Sequence, residues 1–202
     1  FEALTYSPET HRFWTTTETM LPADGQAAGP LCPGAQNLLR IQAFDDSLSP
    51  VAQYAYRMDR GKSDDFGLMY VYGVPALAAL PDGRLLVLER EADVSNGYLS
   101  SQVVCKIFEV LPRESWQIDS HTRLSALDPN RSMVKRLLAA FTTRFTPFSR
   151  SFANYEGMCL GRRLADGRQT LLLVSDSQGG YGRGPFHLKD YIKVLVLSDA
   201  ER

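Results

Sequence analysis

The chain has 202 residues, of which 44% are hydrophobic and 22% charged, and its formal net charge is −1 at pH 7. This composition indicates a folded domain with a hydrophobic core and excludes an intrinsically disordered chain. The near-zero charge gives no basic field for nucleic-acid binding, and no apolar run approaches the roughly 20 residues that a membrane helix needs.

Three strand hairpins share one design along the chain, and the second strand of each ends in an acidic residue. They pair residues 1–6 with 13–18, 74–80 with 85–91, and 155–160 with 171–176. Aligning Glu2, Ala76 and Glu156 superimposes the three hairpins as a long-period repeat. Such a repeat predicts an all-β, radially arranged fold, above all a β-propeller.

Further strands complete the repeated units. Alternating apolar residues predict strands over 37–44 and 51–58 in the first unit. Residues 102–111 and 115–119 are predicted as the third and a short fourth strand of the second unit, and residues 191–197 as the third strand of the last. Two of the three widely spaced cysteines, Cys105 and Cys159, fall within these patterns and are expected in the core.

One segment breaks the β pattern and predicts a short helix. Five apolar residues between Ser132 and Phe145 follow helical spacing, and Asp128, Pro129 and Ser132 are the start signals. They are Val134, Leu137, Leu138, Phe141 and Phe145. We expect this helix to cap one face of the sheets.

The units together predict a partial propeller of about three four-stranded blades with one short helix. Residues 1–202 are expected to form a single domain, the C-terminal part of a longer one. A half propeller exposes two raw sheet edges, which soluble proteins avoid. We therefore expect the missing propeller half, or self-association through these edges, to cover them.

The segment Tyr155-Glu156-Gly157-Met158, followed by residues 164–168 and 171–176, resembles the last blade motif of the phytase-like family, also called the esterase-like activity of phytase family. Residues 76–91 resemble the preceding blade, and residues 1–4 the blade before that. The resemblance covers nearly the whole chain and about the C-terminal half of the family's domain. It implies a β-propeller with a phosphoester-hydrolysing or esterase activity. The chain departs from the repeat at Ala76, which replaces the acidic residue seen at Glu2 and Glu156.

The repeated hairpins also predict where their carboxylates lie. In a propeller the first strand of each blade lines the channel and the second returns beside it, so the start of one and the end of the other lie at the same mouth. The expected cluster of metal ligands is Glu2, Glu18, Glu89, Glu91, Glu156 and Asp176. Alternation puts Glu89 and Glu91 on one face of their strand and Arg90 on the other. A cluster of oxygen ligands favours calcium, which would hold and polarise a phosphate.

Two functional hypotheses follow. The first is a calcium-dependent hydrolase of phosphate esters, in which Arg90, Arg183 and Lys189 are candidate contacts for a small anionic substrate. The second is a non-catalytic propeller that binds a ligand or a protein partner at the same mouth. For each charged residue taken alone, a solvated position or a surface salt bridge is the competing interpretation. We expect a secreted or periplasmic location, with any signal segment outside this chain.

Overall fold

The computed structural model describes residues 1–27, 29–32, 34–62, 67–148, 151–183 and 186–197. These residues form three antiparallel sheets of three or four strands and one short two-stranded ribbon. The prediction of an all-β, propeller-like fold is confirmed, since strands account for 48% of the structure. No helix in the described part of the chain is long and apolar enough to cross a membrane.

The first sheet is a meander of four strands that are neighbours in chain order. They are β1 (Ala3–Ser7), β2 (Arg12–Thr16), β3 (Leu38–Phe44) and β4 (Pro50–Arg57). Each boundary lies within two residues of its prediction, and Glu18, the predicted last residue of β2, falls just beyond its end. Alternation explains this accuracy, because one side of β3 and β4 is continuously buried.

The second sheet has the same order and longer strands. It contains β5 (Met69–Ala79), β6 (Leu85–Val94), β7 (Gln102–Val110) and β8 (Lys135–Arg144). The turn between β5 and β6 uses Gly83 at a φ of 84°, a left-handed conformation that glycine adopts without strain. At the end opposite this turn, both β5 and β6 are longer than the hairpin predicted from the sequence.

The third sheet has three main strands. After β9 (Tyr155–Leu160) and β10 (Thr170–Ser175), the short strands β11 (Gly182–Arg183) and β12 (Phe186–His187) form the ribbon. The chain then returns as β13 (Ile192–Val196), which pairs with β10. The predicted third strand of the last unit is thereby confirmed.

The helix predicted between Ser132 and Phe145 is wrong. Most of this segment is β8, the edge strand of the second sheet, which pairs along its length with β7. A short apolar run fits helical and strand periods alike, and the unpaired edge of β7 decides in favour of the strand. Within the described residues the helical elements are three single 3₁₀ turns, at Glu114–Trp116, Leu124–Ala126 and Pro129–Arg131. The first of these replaces the short strand predicted over 115–119.

The core lies on both faces of the second sheet. Along β6, Leu85 and Val87 pack toward the first sheet, while Leu86 and Leu88 pack toward the third. All four side chains are fully buried, and each contributes about 1.5–3 kcal/mol to stability through the hydrophobic effect. The first strand of the second sheet, β5, contacts both β1 and β9, as expected for successive blades arranged about a common axis.

The outward faces of the first and third sheets expose apolar side chains. Ile192, Val194 and Val196 alternate outward along β13, and Leu4 does so on β1. Cys159 is also exposed, so its expected core position is wrong, whereas that of Cys105 is confirmed. Coverage of the sheet edges by another chain or chain segment stays a prediction.

We expect Leu88→Ala to destabilise the protein by about 2–5 kcal/mol, because it leaves a cavity between the second and third sheets. Urea unfolding followed by circular dichroism measures this loss. The matched control is Leu137→Ala on edge strand β8, where the side chain is 51% exposed and the cost should stay near 1 kcal/mol or less. Equal losses in the two variants would contradict the proposed packing of the sheets.

Candidate functional site

A pocket of about 530 Å³ opens where β6 and β10 end and β5 and β9 begin. Its polar lining consists of four carboxylates, one guanidinium and two amides: Glu2, Glu18, Glu156, Asp176, Arg90, Asn154 and Gln178. Apolar side chains from β5, β6 and the segments around β12 complete the wall. Four of the six predicted carboxylates are thus brought together at the expected mouth.

Arg90 lies at the centre of this polar group. Its Nη1 donates to Oδ1 of Asn154 over 2.9 Å, and its Nη2 donates to Oε1 of Glu18. The same Nη2 lies 3.5 Å from Oε1 of Glu156. The Arg90 side chain is only 4% exposed, and a buried charge of this kind is tolerated because these partners compensate it.

A β-bulge in β5 holds Glu18 in place. The pairing of β5 with β6 shifts register between Gly73 and Ala76, which frees the N–H of Val74 to donate to the Glu18 carbonyl over 2.9 Å. A Cβ atom at Gly73 would lie 2.5 Å from that carbonyl oxygen and would also meet the Glu18 side chain. The absence of a side chain at Gly73 therefore allows the Glu18 segment to lie directly against β5.

Asn154 and Gln178 hold the two carboxylates of the third sheet. The Asn154 side-chain amide donates to Oε1 of Glu156 over 2.7 Å, and the backbone carbonyl of Asn154 accepts from the backbone N–H of Asp176 over 2.9 Å. The Gln178 amide donates to Asp176 over 3.0 Å and to Glu156 over 3.4 Å. Glu156 and Asp176 are therefore fixed relative to each other and to Arg90.

Glu156 differs electrostatically from an ordinary glutamate. Burial raises the pKa of its carboxyl, and the charges of Asp176 and Glu18 act in the same direction. The Arg90 charge and the Asn154 hydrogen bond oppose this rise and only partly offset it. Glu156 therefore holds a proton to higher pH than a free glutamate, as a proton donor in catalysis must.

Glu89 and Glu91 do not lie at the mouth, and that expectation is wrong. The strand continues to Val94, and alternation turns both side chains toward the first sheet, opposite Arg90. Glu89 accepts hydrogen bonds from the hydroxyls of Tyr56 and Tyr72 over 2.7 and 2.8 Å. The prediction that Glu89 and Glu91 lie on the opposite face of the strand from Arg90 is confirmed. Their face, however, is the one with the buried network, and Arg90 faces the pocket.

Cationic and tyrosine groups satisfy this second network. Lys135 on β8 donates to Glu89 over 2.6 Å and pairs with Asp59 over 2.7 Å. Glu91 accepts from the backbone N–H of Lys62 and, over 3.0 Å, from the Tyr70 hydroxyl. Burial and the adjacent carboxylate raise the pKa of Tyr70 well above its usual range, so it remains a neutral donor. We assign this network a structural role.

The two other predicted ligand contacts are not part of the described pocket. Arg183 belongs to β11, and its side chain lies outside the described part of the structure. Lys189 is exposed and meets the third sheet through its carbonyl, which accepts from the Ser175 hydroxyl over 3.2 Å. A ligand-binding role for either residue stays a prediction.

Sequence reasoning missed Asn154 and Gln178 as pocket residues and missed the bulge that positions Glu18. A signal for Asn154 was present, because it lies two residues before Glu156 and so shares its side of an extended chain. Pro75 within a predicted strand was a signal for the bulge, because proline cannot donate to a ladder and is confined to edges and bulges.

The residues of the pocket do not fit a calcium cage as they are arranged. Among the described residues, no group of three or more acidic, histidine or cysteine side chains is placed to hold a metal ion. Glu18 and Glu156 instead face the guanidinium of Arg90. Calcium binding at this site would require Arg90 to move aside, and it stays a proposal.

We expect Glu156→Gln to raise the melting temperature at neutral pH. A raised pKa means that Glu156 favours the folded state below its unfolded pKa, and this contribution is lost as pH rises through the folded pKa. The increase in melting temperature caused by the neutral amide should therefore become smaller when the pH is lowered below 4.5, the ordinary pKa of glutamate. Thermal unfolding across this pH range measures the effect.

The matched control is Glu9→Gln, which removes a carboxyl from the exposed turn between β1 and β2. Its melting temperature should follow that of the unchanged protein. A Glu156→Gln variant that is destabilised most at neutral pH would contradict the raised pKa.

Comparison with known proteins gives one family. A family model described as phytase-like, esterase-like activity of phytase, matches residues 1–178, which include all the polar residues of the pocket. No curated protein and no solved structure matches the chain. Because the match spans most of its length, the chain belongs to the phytase-like family.

Proposed function

We propose that the pocket hydrolyses phosphate esters, with Arg90 binding the phosphoryl group and Glu156 protonating the leaving alcohol. The observation that carries the proposal is a buried guanidinium beside a carboxyl whose pKa is raised by burial, both lining an open pocket. Perturbed titratable groups in a cleft are typical of catalytic sites. The description of the matched family, which names a phytase, supports the same reaction class.

The proposed reaction is the attack of water on phosphorus. The water oxygen forms a bond to phosphorus, and the bond between phosphorus and the ester oxygen breaks. Glu156 gives its proton to the departing oxygen, while the Glu18 carboxylate accepts the proton lost by water. The products are the alcohol and phosphate, and proton exchange with solvent restores both carboxyl groups.

Arg90 has two roles in this reaction. Its guanidinium stabilises the negative charge of the phosphoryl oxygens, and planar guanidinium groups match phosphate geometry well. It also holds Glu18 and Glu156 close to each other, because both carboxyl groups approach the same nitrogen, Nη2. The Nε of Arg90 is buried and has no hydrogen-bond partner among the described residues.

Replacing either group should lower hydrolysis of phenyl phosphate. We expect Glu156→Gln to reduce kcat about 10²–10⁴-fold, the usual contribution of a general acid. Arg90→Gln should reduce kcat/KM at least as much, because it removes the phosphoryl contact and the support of Glu18 together. Released phosphate measures the rate.

The control is Asp166→Asn, in the exposed turn before β10 and distant from the pocket lining, which should retain full activity. Full activity in Glu156→Gln would refute the proposed acid.

Calcium dependence is a separate proposal, supported only by the oxygen-rich lining. Ligand binding to the native state adds about 2.7 kcal/mol at a hundredfold excess over the dissociation constant. Calcium should therefore raise the melting temperature, and more so in Arg90→Gln, where Glu18 and Glu156 lose their counter-ion. Magnesium should act less, because it demands tighter octahedral geometry. Unchanged unfolding of both proteins in millimolar calcium would end this proposal.

A non-catalytic binding role is the second candidate. It is favoured by the way Glu18, Arg90 and Asn154 already satisfy one another, which leaves a preformed polar surface. Propellers support many unrelated functions, so the fold does not decide between the two. If the unsubstituted protein binds phenyl phosphate but does not hydrolyse it, the result would favour a binding role over hydrolysis.

A further inference from the structure

The pocket carries an excess of negative charge. Four carboxylates line it, and Arg90 is the only cationic side chain among the described lining residues. That guanidinium is already paired with Glu18 and Asn154. Even with Glu156 protonated, three carboxylates face one cation. The lining therefore repels any ligand with a high negative charge.

The rest of the pocket lining is an apolar wall. Met69 and Val71 of β5 and Val94 of β6 line it beside Phe152 and Phe186, with Tyr181 at the exposed rim. Phe152 and Phe186 are both buried, with ring centroids 5.5 Å apart, so this wall is a packed surface. A wall of this kind favours an aromatic or aliphatic group over a polyhydroxylated one.

We propose that the site selects phosphate esters with a single phosphoryl group and an apolar alcohol, and that it rejects polyphosphorylated substrates. This inference rests on the hydrolase function proposed above and narrows its substrate class. The phosphoryl group lies at Arg90, and the apolar alcohol lies against the apolar wall that includes Met69 and Phe152. A second phosphoryl group on the substrate would find carboxylates in place of cations.

The geometry also explains how one anionic group is accepted. The guanidinium meets the phosphoryl oxygens from β6, and the amides of Asn154 and Gln178 hold the neighbouring carboxylates by donating to Glu156 and Asp176. Glu2 lies at the entrance just before β1 and is exposed, so its charge acts on the outer part of a bound substrate. Glu2 is therefore the residue best placed to affect selectivity without contacting the reacting atoms.

The experiment compares phenyl phosphate, glycerol phosphate and phytate, the inositol polyphosphate that a phytase hydrolyses. We expect kcat/KM for phenyl phosphate to exceed the values for both others at least about tenfold, a difference of roughly 1.4 kcal/mol in transition-state binding. Phytate hydrolysed as efficiently as phenyl phosphate would overturn the selectivity and leave the hydrolase function standing. Glycerol phosphate at parity would overturn the role of the apolar wall.

A charge reversal then locates the selectivity. Glu2→Lys should raise kcat/KM for phytate relative to phenyl phosphate several-fold, whereas Glu9→Lys, with the same charge change in the turn between β1 and β2, should not. An equal effect of both variants would assign the discrimination to net charge and overturn the role of the pocket.

Failure of the hydrolase function is distinguishable from failure of the selectivity. If none of the three esters is hydrolysed, the proposed function fails, and calorimetric titration of phenyl phosphate and phytate into the same protein decides the selectivity alone. Tighter binding of phenyl phosphate would support it. Equal or tighter binding of phytate would overturn it.

Discussion

The burial of one positive charge, that of Arg90, determines how the rest of the site is built. A guanidinium in the middle strand of a packed sheet is tolerated only with compensating partners, because removal of one partner from such a pair costs about 3–5 kcal/mol. Its partners come from the segment after β2 and from the start of the third sheet. The three sheets thus meet at one side chain, and the pocket forms around it.

The second sheet is both the core of the fold and the scaffold of the site. Its strand β6 is buried on both faces, so every residue along it must be satisfied on the side to which it points. Leu86 and Leu88 satisfy this by packing, and Arg90 by ion pairing. On the other face Glu89 does so through Lys135 and two tyrosines. Alternation therefore places Arg90 in the pocket and its neighbours Glu89 and Glu91 in the buried structural network on the other face of the sheet.

The sequence predicted the features that depend on a period of two and missed those that depend on its interruption. Hairpin pairing, strand order and the shared position of Glu2, Glu18, Glu156 and Asp176 follow from alternation and repetition. The fourth strand of the second sheet was misassigned, because its apolar spacing also fits a helix and only the open edge of β7 selects pairing. Glu89 and Glu91 were misplaced because nothing local marks where β6 ends. Contacts from Asn154 and Gln178 depend on tertiary structure.

The bulge in β5 allows one extra residue in that strand without turning either half over. Before the bulge Tyr70 and Tyr72 face the first sheet, as Leu77 does after it, although an uninterrupted strand would put Tyr72 and Leu77 on opposite sides. Deletion of Pro75 would leave a regular strand in which Tyr72 and Leu77 still face the first sheet, and only the bulge itself would be lost. Related chains can therefore differ by one residue at this point, whereas a single insertion or deletion elsewhere in β5 would turn one half of the strand over and separate the tyrosine hydroxyls from their glutamates.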